Sequence, residues 1–128
     1  MKLLLDTHIL LWAAGHPDKL SDTAREMLLE PRNGLFFSAA SIWEVVVKQG
    51  LGREDFRVDA HRLRKNLVVQ GYVEVPIVAE HVLRVATLPL LHKDPFDRIL
   101  VAQARCEGMA LLSVDAAVVA YGEGIIAA

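Results

Sequence analysis

The chain has a single cysteine, Cys106, no surplus of basic residues and no long apolar run free of charge, and each shortage removes a class of function. A lone thiol closes no intrachain disulfide and leaves no cysteine cluster for zinc. Cys106 therefore reads as a buried small hydrophobe. The balance of 14 basic against 16 acidic residues, a formal charge of −2, excludes a nucleic-acid coat that works by neutralising many phosphates. If RNA binds, cations must help locally. No stretch approaches the roughly 18 apolar residues of a membrane span. The opening Met1-Lys2-Leu3-Leu4-Leu5 imitates a secretory leader, but Asp6 interrupts it before a hydrophobic region of ordinary length forms, so a cytoplasmic location is expected.

What is present fits one domain over residues 1–128, long enough to bury a core. The hydrophobic fraction of 53% is above the usual share, which reads as extra buried surface and points to a homodimer contact. Leu3 to Leu5 is a short apolar run ending at Asp6, followed by a helical pattern from His8 to Ala14 that stops at Gly15-His16-Pro17. Ser21 caps a second helix to about Leu29, and Arg32-Asn33-Gly34 turns into a buried strand, Leu35-Phe36-Phe37. Ser41 to Gln49 is helical, and a basic stretch from Arg53 to Lys65 leads into another amphipathic helix. Tyr72 to Val75 is a third strand. Val78 to Thr87 and Phe96 to Glu107 are helical, the latter closed by Gly108, and Ala110 to Leu112 is a fourth strand. Ala116 to Tyr121 is a short helix and Ile125-Ile126 a last strand. Continuous aliphatic strands alternating with helices predict an α/β fold with a parallel sheet covered on both faces.

Three acids fall just past apolar runs or in the helical turn after them: Asp6, Glu44 and Asp115. In a parallel sheet such positions share one edge, where ligands bind outside the carboxyl ends of the strands. Asp97 opens a helix aimed at the same crevice. Taken singly, each acid reads as a helix cap: Ser41 and Glu44 have capping-box spacing, Asp94-Pro95 reads as N-cap and first helical position, and Asp6 and Asp115 are both placed to cap. Capping accounts for each acid but not for the crowd, because clustered carboxylates repel and bind protons unless a cation neutralises them. Oxygen donors without cysteine, and without a histidine pair at zinc spacing, suit magnesium or manganese. Ions held this way support in-line displacement at a phosphodiester.

Four motifs, Leu4-Leu5-Asp6-Thr7-His8, Ser38-Ala39-Ala40-Ser41-Ile42-Trp43-Glu44, His92-Lys93-Asp94-Pro95-Phe96-Asp97-Arg98 and Ser113-Val114-Asp115, together resemble PIN-domain ribonucleases, and most of all VapC-type toxins. The likeness runs over essentially the whole chain. It implies a Rossmann-like sheet of four to five short strands, a magnesium-dependent endoribonuclease, and an antitoxin partner whose tail covers the active site. By motif, Asp6 and Asp97 are the implied principal metal ligands, with Glu44 and Asp115 completing the set directly or through water. Thr7, Asp94, Ser113 and Arg98 are secondary candidates. Many relatives carry threonine two residues before the last acid; Ser113 keeps the hydroxyl and should bond a carboxylate or a water.

Lys48, four residues after Glu44, reads first as a helix-surface pair and second as a phosphate contact. Arg98 reads equally as a contact to phosphate or antitoxin and as a salt bridge orienting a metal carboxylate. Arg53, Arg57, Arg62, Arg64 and Lys65 read first as a solvated face and second as an RNA-backbone track. His8 reads as structural, and Trp12 and Trp43 as core or dimer interface. Two competing readings stand beside the nuclease. One is a catalytically silent PIN-like module that grips a protein partner. The other is a phosphoacceptor receiver-like domain, which should carry a lysine near its last strands, whereas no lysine follows Lys93.

Overall fold

A computed structural model describes residues 1–128. In chain order the elements are β1 (Lys2–Leu5), α1 (Thr7–Gly15), α2 (Asp22–Leu29), β2 (Gly34–Ser38), α3 (Ala39–Gly50), α4 (Ala60–Val69), β3 (Val73–Val75), α5 (Ala79–Val85), α6 (Pro95–Glu107), β4 (Ala110–Ser113), α7 (Ala116–Val119) and β5 (Ile125–Ala127). The five strands form one parallel sheet in the order β3-β2-β1-β4-β5, with Leu4 paired to Phe36 on one side and to Leu111 on the other. This is the α/β architecture expected from the aliphatic runs. Short 3-10 turns over Pro17–Lys19 and Glu54–Phe56 are additions that periodicity does not register.

Central β1 shows why the runs lack polar alternation. Leu3, Leu4 and Leu5 are all 0% exposed, because helices cover both faces of the sheet. Successive side chains still alternate: Leu3 and Leu5 join Ile9, Leu10, Phe37 and Leu63 in one cluster, while Leu4 joins Leu100, Val101, Leu111 and Val118 in the other. The chain therefore lays α1, α2 and α4 on one face, and α6 and α7 on the other.

Helix ends follow local chemistry. Ser21 accepts from the Ala24 N–H, and Asp94 accepts from Phe96 N–H with proline in the first turn of α6. Gly108 closes α6 at φ 66°, a left-handed geometry suited to glycine. The start of α3 departs from the capping-box expectation. Ser38, not Ser41, is its N-cap, donating nothing to the helix but accepting from Ala40 N–H, and Ser41 lies inside the first turn. The helix begins earlier because β2 runs straight into it with no connecting loop. Two further expectations change. Cys106 is half-buried on α6 rather than interior, and Trp43, 56% exposed, is not core, which leaves the interface alternative of its reading. Trp12 packs partly buried against the first cluster, as expected of a core residue. No helix is long and apolar enough to cross a membrane.

The sheet changes direction between β1 and β4: β2 and β3 add outward on one side of β1, β4 and β5 on the other. In open parallel sheets such a switch point leaves a crevice at the carboxyl ends of the two central strands. Asp6 follows β1 and Asp115 follows β4, so the fold puts both at that crevice. The burial pattern carries a test. Leu4→Ala should lower unfolding free energy by about 2–5 kcal/mol, whereas Leu83→Ala, at a side chain 72% exposed, should change it by no more than about 0.5 kcal/mol, both read by urea titration.

Candidate functional site

Asp6 is the N-cap of α1 and is nearly buried, at 5% exposure. One carboxylate oxygen, Oδ1, accepts from Ile9 N–H at 2.9 Å. The other, Oδ2, accepts from the Ser113 hydroxyl at 2.6 Å and from Val114 N–H at 3.3 Å. Burial pushes the Asp6 carboxyl above its ordinary range, and the Ser113 hydroxyl and the two N–H groups work against that shift. Ser113 thus bonds a carboxylate, as its place before the last acid led us to expect, and stitches β4 to the end of β1.

Glu44 lies one and a half turns into α3 and is 3% exposed. The Thr7 hydroxyl donates to its Oε1 at 2.6 Å, with the Ser41 hydroxyl 3.0 Å from Thr7, and Lys48 donates to its Oε2 at 2.6 Å. Both oxygens of Glu44 are therefore engaged by the protein. Lys48 is not the helix-surface pair that its spacing suggested. It is 17% exposed, lies 3.6 Å from Asp94 Oδ2, and stands over the Phe56 ring at 5.0 Å. Burial disfavours its charge, but the Glu44 hydrogen bond and the Glu44 and Asp94 charges outweigh that and hold the ammonium above its ordinary value. A surface pair at this spacing needs only the helix; this lysine is drawn inward because two acids converge there.

Asp97, in the first turn of α6, is 16% exposed and is pushed up to about 7. Burial is the largest cause, followed by the charges of Asp94 and Glu44; His92 opposes the shift and Asp6 adds to it. The crowding inferred from sequence is real for these acids. Asp115 is the most open, at 43%, and caps α7 through Ala117 N–H at 2.8 Å.

The tightest group of possible ligand atoms is not the set of acids read from sequence. It consists of His92, Asp97 and Asp115, whose ligand atoms lie within 4.8 Å of one another. His92 Nε2 is 2.9 Å from Asp97 Oδ2 and 3.3 Å from Asp115 Oδ2. Sequence reasoning passed over His92, although it opens the third motif; the signal available was its fixed position beside Asp94 and Asp97. The donor set is mainly carboxylate oxygen with one imidazole and no thiolate, which suits a divalent cation such as magnesium or manganese. The raised Asp97 carboxyl is the independent sign that positive charge is short at this edge.

Arg98 does not form the salt bridge to a metal carboxylate that was one of its two readings. Its guanidinium donates to the carbonyls of Val85 at 3.1 Å, His92 at 3.4 Å, and Leu88 and Pro89 at 3.5 Å, tying the end of α5 and the following loop to α6. Arg53 and Arg57 are exposed and pair with Asp55 and Glu54, and Arg64 pairs with Glu74, which fits a solvated face. His8 packs against the Trp12 and Phe56 rings and lies 3.5 Å from Asp55, a structural placement. Trp43 stacks edge-on against Phe96 at 4.8 Å, joining the helix that carries Glu44 to the helix that carries Asp97.

Residues 3–123 match the profile of a family described as PIN domain. No curated protein matches the sequence. Among solved structures, VapBC2 from Rickettsia felis, bound to a DNA fragment from its promoter, is similar at 17% identity and a TM-score of 0.68, over 100% of this chain and 98% of that one. A toxin-antitoxin complex from Klebsiella pneumoniae is similar at 20% identity and 0.61, over 97% and 95%. PAE2754 from Pyrobaculum aerophilum is similar at 21% identity and 0.59, over 99% and 83%. At these identities the likeness is one of fold.

The Asp97 shift makes a linkage prediction. Its folded-state value of about 7 lies above the ordinary 3.8, so the folded protein binds the proton more tightly between those values, and stability falls as pH rises through that window. In buffer with chelator, the wild type should melt at a lower temperature at pH 8 than at pH 5. Asp97→Asn, neutral throughout, should flatten that slope and melt above the wild type at pH 8.

Proposed function

The chain belongs to the PIN domain family, and from that premise we propose that it is a VapC-type toxin, a metal-dependent endoribonuclease acting as a single domain over residues 1–128 in the cytoplasm. The observation that carries the reading is the crowding of Asp6, Glu44 and Asp94 around a half-buried Asp97 at the switch point of a parallel sheet. Capping alone would not gather these charges.

Asp97 and Asp115 are the residues best placed to hold magnesium or manganese, with Asp6 deeper in the crevice and Glu44 behind Lys48. A divalent cation supplies positive charge where negative charge develops at phosphorus and acidifies water for the attack. The protein's own groups do the positioning. Ser113 and the Val114 N–H fix the rotamer of Asp6, and Thr7 fixes Glu44. Lys48 places an ammonium between Glu44 and Asp94, where it can meet a phosphate oxygen at the rim. This reading moves Lys48 ahead of Arg53 and Arg57 as the RNA contact. Asp97→Asn should lower RNA cleavage with manganese by at least about 100-fold, since even partners one shell removed from a metal typically cost 10–100-fold, while circular dichroism stays native. Unchanged cleavage would remove Asp97 from the mechanism. Adding the cognate antitoxin should suppress the wild-type activity.

Two surfaces support partners. A groove of about 350 Å³ is lined by Leu11, Trp12 and Leu63 and by charges of both signs, Lys19, Arg57 and Arg62 with Glu54 and Asp55, which suits an amphipathic segment of an antitoxin. On α3, Trp43, Val46 and Val47 form an exposed apolar stripe at helical spacing, continued by Leu51 just past the helix end, which supports a homodimer. Val46→Glu should convert a dimer to a monomer in light-scattering measurements; an unchanged mass would exclude that stripe from the interface.

A further inference from the structure

We propose that His92 and a divalent cation contend for the same two carboxylates, so that the imidazole N–H is a resident counter-group which the ion displaces. The inference rests on the metal-site reading above and adds a residue which that reading leaves without a role.

The ring is held from several sides. His92 backbone N–H donates to the Tyr121 hydroxyl at 3.2 Å, and its carbonyl accepts from Arg98 at 3.4 Å. The backbone N–H of Asp94 donates to ring Nδ1 at 3.3 Å. With the ring so placed, Nε2 reaches Asp97 Oδ2 at 2.9 Å and hydrogen-bonds Asp115 Oδ2 at 3.3 Å. Arg98 and Tyr121 thus act on the site through the loop that carries the imidazole.

Distances alone do not separate a ligand from a competitor. Neighbouring donors on an octahedral ion with bonds of about 2.1 Å lie about 3 Å apart, much as hydrogen-bonded atoms do. The Asp94 N–H makes the distinction. A backbone N–H only donates, so the nitrogen facing it must present a lone pair, and the ring proton then belongs to Nε2. A protonated nitrogen does not ligate a metal. Histidines that do ligate donate their other N–H to a carboxylate or carbonyl, and here the other nitrogen faces a donor instead. The Nε2–H is therefore turned to Asp115 Oδ2, its acceptor, while Asp97 Oδ2 lies 2.9 Å from the same nitrogen off the donor axis, so the imidazole stands against both oxygens that would face an ion.

The test is calorimetric titration of Mg²⁺ and of Mn²⁺ into the full chain, comparing the wild type with His92→Asn and His92→Ala. Asparagine keeps an acceptor near the Asp94 N–H but does not reach Asp97 or Asp115, and melting curves without metal establish that each variant is folded. Both variants should bind both ions about tenfold more tightly than the wild type, with little difference between the ions. Weaker binding, with a greater loss for Mn²⁺ than for Mg²⁺, would make the imidazole a ligand and overturn the proposal. Unchanged affinity would overturn it as well. A wild type that binds neither ion would remove the metal-site reading itself; a wild type that binds and cleaves RNA, with no tightening in the variants, would remove only the role of His92.

Discussion

Like charge gathered in a partly desolvated place is the constraint around which this molecule is arranged. Asp97 carries most of it: burial and the charges of Asp94, Glu44 and Asp6 together push its carboxyl up to about 7. A carboxylate of that kind is costly to the folded state unless something compensates. The neighbouring side chains are legible as partial compensation. Lys48 is drawn in between Glu44 and Asp94, His92 turns Nε2 toward Asp97 and Asp115, and Thr7 and Ser113 each spend a hydroxyl on an acid. None of these cancels the excess fully, and the remaining deficit of positive charge is what makes a divalent cation the fitting occupant.

The sheet produces the deficit. Its strands are buried on both faces, so functional groups have little place except at the strand ends, and parallel strands deliver all their carboxyl ends to one edge. At that edge the N-terminal turns of α1, α6 and α7 supply capping positions that favour acids. Capping and metal binding are therefore not rival accounts. Asp6 and Asp115 each give one oxygen to a helix N–H; the other oxygen of Asp6 is held by Ser113 and Val114, and that of Asp115 faces His92. The cap fixes the rotamer that the site needs.

Family membership and fold do not by themselves confer an activity, since one fold hosts many functions. A module that only grips a protein partner would have no reason to keep Asp97 in so unfavourable a setting. A receiver-like domain would need a lysine beyond Lys93, and the lysine at this edge, Lys48, comes from α3 and is committed to Glu44. The balance of charge at the site favours hydrolysis of a polyanion over either.

Strand and helix identity, the α/β class and the acids at the sheet edge were all legible in the residue order, because aliphatic runs, caps and glycine stops act over a few residues. Asp6, Asp97 and Asp115 were readable for the same reason: each follows a strand or opens a helix. The environment of each acid was not. Lys48 at i+4 from Glu44 looks the same on any helix, and only the approach of Asp94, 46 residues later in the chain, turns it inward. Arg98 adjoins Asp97 in sequence yet points to carbonyls of the preceding loop, and His92 gains its place only when β4 brings Asp115 alongside. Residue order is enough to say which short segments form and which residues cap them; which charges meet follows from the folded chain, because electrostatic energy depends on distances in space that are set by the packing of strands and helices far apart along the chain.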